Sequence, residues 1–454
     1  MAFFIPRSTV LAAALVSALL APAAQAVDLL QSYSAALNGN AQYLGALAAG
    51  RAGRESVAIA QAQLLPNITV NYNHFANSVT KKLQGMSSYS EPERYGSNSG
   101  ALTLRQPLYR PAAWASYQRS LAMVAGADAT QNAALQQLGV DVAQSYFDVL
   151  LAWETQQQLL SDRQAISAQL AAARKALSAG QGMRTDVDEA QARLDLVEAR
   201  LLSARDAISQ ARRTLESQTN MPVDRVRALN TSRLVLTAPE PADPQSWLDM
   251  LEARNPVLAS LRAEVQSTRM DLNQAQAAHM PTIDAVLQRT LTDRDNIFSN
   301  AYTYYNTQAG VVLNVPLYAG GGLSARSRQA QANLEESEQK LENERRQLRN
   351  DVSKTFEAVQ QGVNKVRALE QAEKSAQQMI LSSERGFVAG TRTRLDILNA
   401  RQQLSQVALE LARERINYLQ AQLRLHAYVG QLDEIRFTQM NQTLSTGSDI
   451  VFKQ

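Results

Sequence analysis

Gly180-Gln181-Gly182-Met183-Arg184-Thr185-Asp186-Val187 returns 210 residues later as Gly390-Thr391-Arg392-Thr393-Arg394-Leu395-Asp396-Ile397, a glycine turn and a helix start written twice. Two further echoes keep nearly the same spacing. Pro66, in the stretch from Gln61 to Ile68, is answered 215 residues on by Pro281, in the stretch from Gln276 to Ile283. Gln106-Pro107-Leu108-Tyr109 is answered by Val315-Pro316-Leu317-Tyr318 after 209. Punctuation repeated at one period means two copies of one structural unit. The offset shifts only between the two prolines of each copy, by 215 − 209 = 6 residues, so the variable segment is a loop.

After each turn, small and apolar residues recur in steps of three and four. The first copy places Val187, Ala190, Leu194, Val197, Leu201, Ala204, Ile208, Ala211 and Leu215; the second places Ile397, Ala400, Leu404, Val407, Leu411, Tyr418, Ala421 and Leu425, with Glu414 the one polar break. This is a heptad seam. Upstream of each turn the helical pattern is longer still, over 111–179 and 323–389. At ~1.5 Å per residue each would extend about 100 Å, more than a compact globule uses.

Between the two prolines of each copy the period changes to two. Ile68, Val70 and Tyr72 alternate with Thr69, Asn71 and Asn73, and Ile283, Ala285 and Leu287 alternate with Asp284 and Gln288. Leu102 and Leu104 oppose Thr103 and Arg105; Val311, Leu313, Val315 and Leu317 oppose Asn314. These are strands with one apolar and one polar face. Each pair brackets a polar loop, from Asn77 to Ser99 and from Thr290 to Asn306. A fibrous coiled-coil surface or adaptor protein without a pore would explain the heptads but not these strands. Four strands cannot close a barrel, and open edges are not tolerated in lipid, so oligomerisation is required and three copies give twelve strands.

Composition excludes several chemistries. The 454 residues include no Cys and 3 His, which removes disulfides, thiolate metal sites and thiol nucleophiles. No cofactor is expected. His74, His279 and His426 fall in a strand, a helix end and a coiled helix and form no catalytic set, so the chain does not read as an enzyme. Asp186, Asp188 and Glu189 are acids in a helix's first turn, where the macrodipole favours them without any metal. The net charge is +3 with no dense basic block, so no nucleic-acid partner is indicated. Residues 1–26 carry Arg7, an apolar stretch from Val10 to Leu20 and Ala24-Gln25-Ala26, the pattern of a secretory signal cleaved after Ala26. Without a Cys after that site the mature chain is not expected to be a lipoprotein.

The expected organisation is a signal peptide over 1–26 and a first structural repeat over 27–238, with a helix, strand pair 67–108, long helix 111–179, returning helix 187–219 and an equatorial segment. A second repeat over 239–430 has a helix, strand pair 282–317, long helix 323–389 and returning helix 397–428, and a polar tail covers 431–454.

In this order of elements, in the two Pro-Leu-Tyr strand ends, in Gly320 to Gly322 and above all in the two turn motifs, the chain resembles the TolC-like outer membrane efflux and type I secretion proteins of Gram-negative bacteria. The segment from Pro239 to Pro256, with Trp247, resembles that family's equatorial region. The resemblance implies a mainly α fold with a small β part: a homotrimeric, twelve-stranded barrel in outer-membrane lipid, continued by a long periplasmic α-helical coiled-coil barrel. It implies a passive exit duct joined by a periplasmic adaptor to an inner-membrane ABC or RND transporter. The polar loops would face the exterior and the glycine turns the periplasm. Gly180, Gly182, Gly390 and Thr391 would contact the adaptor. Thr185, Asp186, Phe387 and Arg392 would form a network that closes the periplasmic entrance, narrowed by a ring of Asp396. Asn399 stands where the resemblance leads one to expect a second acid, which weakens that ring.

Overall fold

Each copy runs from helices through a strand pair into a very long helix and a shorter returning one. The computed structural model of the chain describes residues 26–80, 92–296, 299–442 and 444–452. The first copy contains α1 (Leu29–Gly39), α2 (Ala41–Ala62), β1 (Asn67–Thr80), β2 (Pro92–Tyr109), α3 (Pro111–Ser178), α4 (Arg184–Thr219) and β3 (Arg225–Leu229). The second contains α5 (Pro244–Arg254), α6 (Pro256–Ala277), β4 (Thr282–Asn296), β5 (Ser299–Asn314), α7 (Gly322–Val388) and α8 (Arg394–Tyr428), followed by α9 (Glu434–Asn441) and β6 (Leu444–Val451). Residues 1–25, and with them most of the expected signal, lie outside the described residues, as do 81–91 and 297–298 of the two loops. Helix starts follow local chemistry. Asp28 and Gln31 make a reciprocal capping box for α1, and Asp243 caps α5 ahead of Pro244. No described helix is long and apolar enough to cross a membrane.

Contacts divide the chain into two units, one of Leu47–Gln131 and Pro256–Arg346, the other of Met1–Ala46, Asn132–Asn255 and Gln347–Gln454. The first unit holds an antiparallel four-stranded sheet in the order β1-β2-β4-β5. Its register sorts the side chains. One face carries the rungs Ile68, Leu104, Leu287, Ala309 and Tyr72, Gly100, Leu291, Tyr305; the other carries Thr69, Thr103, Gln288, Gln308 and Asn71, Ala101, Thr290, Asn306. Ile68, Val70, Tyr72, Val311 and Leu313 are all strongly exposed on the apolar face. The strands are longer than the expected loops allow, since β1 reaches Thr80, β2 begins at Pro92, β4 reaches Asn296 and β5 begins at Ser299. Apolar alternation marks only the part of a strand that needs an apolar face, whereas backbone pairing continues beyond it through Ser, Asn and Thr. At the other end β5 stops at Asn314, short of the expected 317, because Pro316 has no N–H for a ladder.

At the foot of the sheet, Asp284 is the fastening point. Its side chain is 3% exposed and is held by Arg110 through Nε at 2.8 Å and Nη2 at 2.8 Å, and by Arg105 through Nε at 3.0 Å. Arg110 immediately precedes α3, so one carboxylate ties β2, β4 and the long helix together.

In the second unit, α3, α4 and α8 meet in a cluster of Ile166, Val197, Leu201 and Leu398, flanked by Leu159, Leu160 and Leu194. Of the seam residues, Ala190, Val197, Leu201, Ala204, Ile208 and Leu215 are buried in α4, and Ala400, Leu411, Tyr418 and Leu425 in α8. The polar tail expected over 431–454 contains regular structure, α9 and β6. β6 pairs antiparallel with β3, and Val27 adds a parallel bridge to Val226 on the same strand. Phe437 of α9 stacks on Tyr33 of α1 with ring centres 4.1 Å apart. The alternation that seats Leu444 and Ile450 is diluted by Ser, Thr and Gly, and the partner strand lies some 220 residues away in sequence, so no local pattern announces the pairing.

Trp247 is 1% exposed and meets His426 edge-on at 5.3 Å, and His426 Nδ1 is buried without a hydrogen-bond partner among the described residues. Burial first, and then the Arg436 charge, push the His426 imidazole down to about 4, against a smaller pull from Asp433.

Two predictions follow from these contacts. Asp284→Ala leaves two guanidinium groups facing each other without a counter-charge; because both are partly hydrated, the expected loss is about 1–3 kcal/mol, read as a lower midpoint of unfolding in detergent. For His426 the folded pKa lies below the unfolded value of 6.5, so the unfolded chain binds more protons between the two. Stability is therefore fully present above pH ~6.5 and falls as pH drops toward ~4, by up to about 3 kcal/mol per protomer. His426→Phe is expected to remove that pH dependence, and denaturant titrations at pH 7.5 and 4.5 check it.

Candidate functional site

The two turns that the sequence singles out are built alike. In the first, Gly180 adopts φ +72°, with Gln181 N–H donating to Ala176 O at 2.9 Å and Gly180 N–H to Leu177 O at 3.0 Å. In the second, Gly390 adopts φ +76°, with Thr391 N–H donating to Gly386 O at 2.8 Å and Gly390 N–H to Phe387 O at 3.0 Å. Both are Schellman stops, in which a left-handed residue lets the chain bond back onto the last helical carbonyls. Glycine is required there because a Cβ is strained at positive φ.

The turns differ in one exchange of side chains. A Cβ on Gly182 would meet Ala176 C and Cβ at 3.0 Å and Leu177 N at 2.9 Å. The equivalent pair in the second turn is reversed, with Gly386 in place of Ala176 and Arg392 in place of Gly182. A Cβ on Gly386 would meet Arg392 Cγ at 2.6 Å and Cβ at 3.3 Å. Each turn thus admits one side chain at this contact. The second turn uses the space to seat an arginine.

The returning helices also start differently. Thr393 caps α8: its hydroxyl oxygen accepts from Asp396 N–H at 3.2 Å, while Asp396 Oδ2 accepts from Thr393 N–H at 2.8 Å and from its hydroxyl at 2.8 Å. Asp396 Oδ1 lies 3.8 Å from Arg392 Nη1. The Thr393 hydrogen bonds, backbone first, hold the Asp396 carboxyl below the usual carboxylate range, with a smaller contribution from Arg392. At the start of α4 the cap position is Met183, which makes no side-chain bond. Asp186 occupies the same helix position as Asp396, yet neither it nor Thr185 has a side-chain hydrogen bond or ion pair among the described residues.

The expected network is therefore only partly assembled within one chain. Arg392 and Asp396 are brought together, Thr391 Oγ1 donates to Gly386 O at 3.1 Å, and Phe387, 37% exposed, lies under the Arg394 guanidinium at 5.1 Å. Thr185 and Asp186 join none of them. Asn399 is drawn instead to Arg193, whose Nη1 and Nη2 donate to Asn399 Oδ1 at 3.4 Å and whose Nη2 donates to Glu189 Oε1 at 2.7 Å. Sequence reading did not single out Arg193, although Glu189 four residues before it is the spacing of a helical ion pair. It also missed Asp162, half-way along neither motif, which accepts a 2.6 Å bond from Ser405. Burial raises the Asp162 carboxyl, against bonds from Ser405 and Gln158 and the Arg200 charge.

A duplicated helical chain with two like turns, and a sheet bearing one apolar exposed face, is the architecture of an outer-membrane channel protein. The family model described as outer membrane efflux protein matches residues 32–220 and 247–431, and the chain belongs to that family. It is 32% identical over 419 residues to the proteases secretion protein PrtF of Dickeya chrysanthemi, covering 90% of each chain. It is 31% identical to the alkaline protease secretion protein AprF of Pseudomonas aeruginosa, over 90% of this chain and 85% of that one. The crystal structure of the outer membrane protein VceC from Vibrio cholerae superposes with a TM-score of 0.74 at 18% identity, covering 89% of this chain and 97% of that one. The protein is accordingly an outer-membrane exit duct of a Gram-negative bacterium that extends into the periplasm, and not an enzyme.

The reciprocal glycines give a direct test of the second tip. Gly386→Ala is expected to expel Arg392 from its seat and to lower tip stability by about 1–2 kcal/mol. The double variant Gly386→Ala/Arg392→Gly, which copies the first tip, recovers that stability. Hydrogen exchange across 380–400 reads both.

Proposed function

We propose that three copies of this chain close one barrel of twelve strands and that the duct conducts secreted protein, delivered by an inner-membrane transporter through a periplasmic adaptor. The observation that carries the cargo class is the match to two protease secretion proteins over about nine-tenths of the chain. Closure is supported by the free edges of β1 and β5, each a row of unpaired backbone groups that lipid cannot solvate. The apolar face, from the Ile283 rung to the Leu291 rung, gives about 20 Å of height at ~3.3 Å per residue and ~40° tilt, close to the ~25 Å band of such barrels. In this reading the polar face lines the lumen, the hairpin ends face outward, and the tips carrying Gly180, Gly182, Gly390 and Thr391 receive the adaptor.

The tip geometry supports a gate formed between protomers. Arg392 is seated and Asp396 is ordered, whereas Thr185 and Asp186 carry unused hydrogen-bonding capacity, so a neighbouring protomer's Arg392 is their natural partner. An Asp396 ring would act on passing cations, tempered by the Arg392 beside each carboxylate and by Asn399 where a second acid would stand.

Single-channel recording on a trimer of verified mass tests this reading. Arg392→Ser is expected to raise conductance severalfold, and Asp396→Asn to reduce cation preference and block by multivalent cations. A stable monomer in detergent overturns the architecture; a trimer in which both variants behave as the parent overturns the gate alone.

A further inference from the structure

One residue contradicts the sorting of side chains on the sheet. Arg289 of β4 falls on the apolar face, on the rung that joins Val70, Leu102 and Thr307, directly between the Leu287 and Leu291 rungs. It is exposed and makes no hydrogen bond or ion pair among the described residues. The next acid along the same face, Asp293, is four residues on, about 13 Å at ~3.3 Å per residue. That carboxylate already accepts from Thr303 at 3.2 Å and Asn98 at 3.4 Å. No neighbour on the sheet therefore answers the charge.

On a lipid-facing surface the cost of a guanidinium rises steeply toward the bilayer centre. The relief open to it is to bend along the strand toward the headgroups. The next rung toward the hairpin end carries Tyr72 and Tyr305, both strongly exposed, the residue type that sits where acyl chains meet headgroups. An arginine one rung inside that girdle lies within snorkelling distance of the phosphate level, and its planar fork matches two phosphate oxygens. We propose that Arg289 is a binding site for the phosphate of an outer-leaflet glycolipid of the lipid A class, one per protomer.

The leaflet rests on the barrel orientation proposed above, in which the hairpin ends face outward. Thr307 and Leu102 beside Arg289 are small or apolar, so nothing on the rung competes for the headgroup. Ile68 and Leu287, exposed on the rung below, offer a surface for the acyl chains beneath it. The site thus pairs a cation with an apolar floor, which suits a phospholipid-like ligand and not a free anion.

Native mass spectrometry of the detergent-released trimer, titrated with lipid A, with enzymatically dephosphorylated lipid A, with phosphatidylglycerol and with inorganic phosphate, tests the proposal. The parent is expected to bind up to one lipid A per protomer at least about tenfold more tightly than Arg289→Leu, with Arg289→Lys between them and with no difference for the dephosphorylated lipid. Equal lipid A binding by parent and Arg289→Leu overturns it. So does displacement by millimolar phosphate, which would mark a simple anion site, or Arg289-dependent binding of phosphatidylglycerol with none of lipid A, which would remove the leaflet. The same spectra report trimer mass, so a failure of the barrel is seen separately from a failure of the lipid site.

Discussion

The constraint on which the structure depends is that a backbone N–H or C=O in lipid must be paired. The chain brings four strands together and pairs their interior edges, leaving the outer edges of β1 and β5 without partners among the described residues. A soluble protein could blunt such edges with water or charge. Here the apolar face forbids that, because the surface exposing Ile68, Val70, Val311 and Leu313 belongs in hydrocarbon. The proposed partnership with further copies would answer both demands, and the duplicated helices would then follow the barrel they are joined to. Asp284 makes that junction stiff by holding Arg105 and Arg110 at the point where sheet becomes helix.

At the opposite end of the long helices the problem is different: a helix of 68 or 67 residues must stop and reverse. The same solution is used twice, a left-handed glycine that folds the backbone onto its own last carbonyls. What distinguishes the tips is the small space beside that turn. Ala176 fills it in one copy and Arg392 in the other, with glycine opposite in each case. A duplicated scaffold thereby acquires one plain tip and one charged tip without altering either backbone. The added capping box on α8 orders Asp396 in the charged tip, while Met183 leaves Asp186 unengaged in the plain one.

Within the second unit the chain closes on itself. Val27, β3 and β6 bring the beginning, middle and end of the described chain to one small sheet, and α9 stacks on α1 through Phe437 and Tyr33. Those contacts tie the first copy to the segment that follows the second, by something other than coiled-coil packing. The buried Trp247 and His426 lie in the same unit, which is also the part expected to weaken in acid.

Much of this was legible in the residues. Repetition at 210 residues and the change from period 3.6 to period 2 specified the order of elements, because periodicity is a local property that a strand or helix imposes on its own side chains. The glycine stops were equally local, whereas Pro316, read within a strand carried to 317, in fact ends β5 at Asn314. Tertiary structure decided what depends on residues distant in sequence: that 431–452 folds back as α9 and β6, that strands continue through polar segments, and that Asn399 is claimed by Arg193 rather than left to a charge ring. It also decided that Arg392 needs the glycine six residues before it and that Arg289 has no partner among the described residues. A pattern along one strand reports which face a side chain takes. Whether anything waits there to meet it is settled only when the other strands and helices have been put in place.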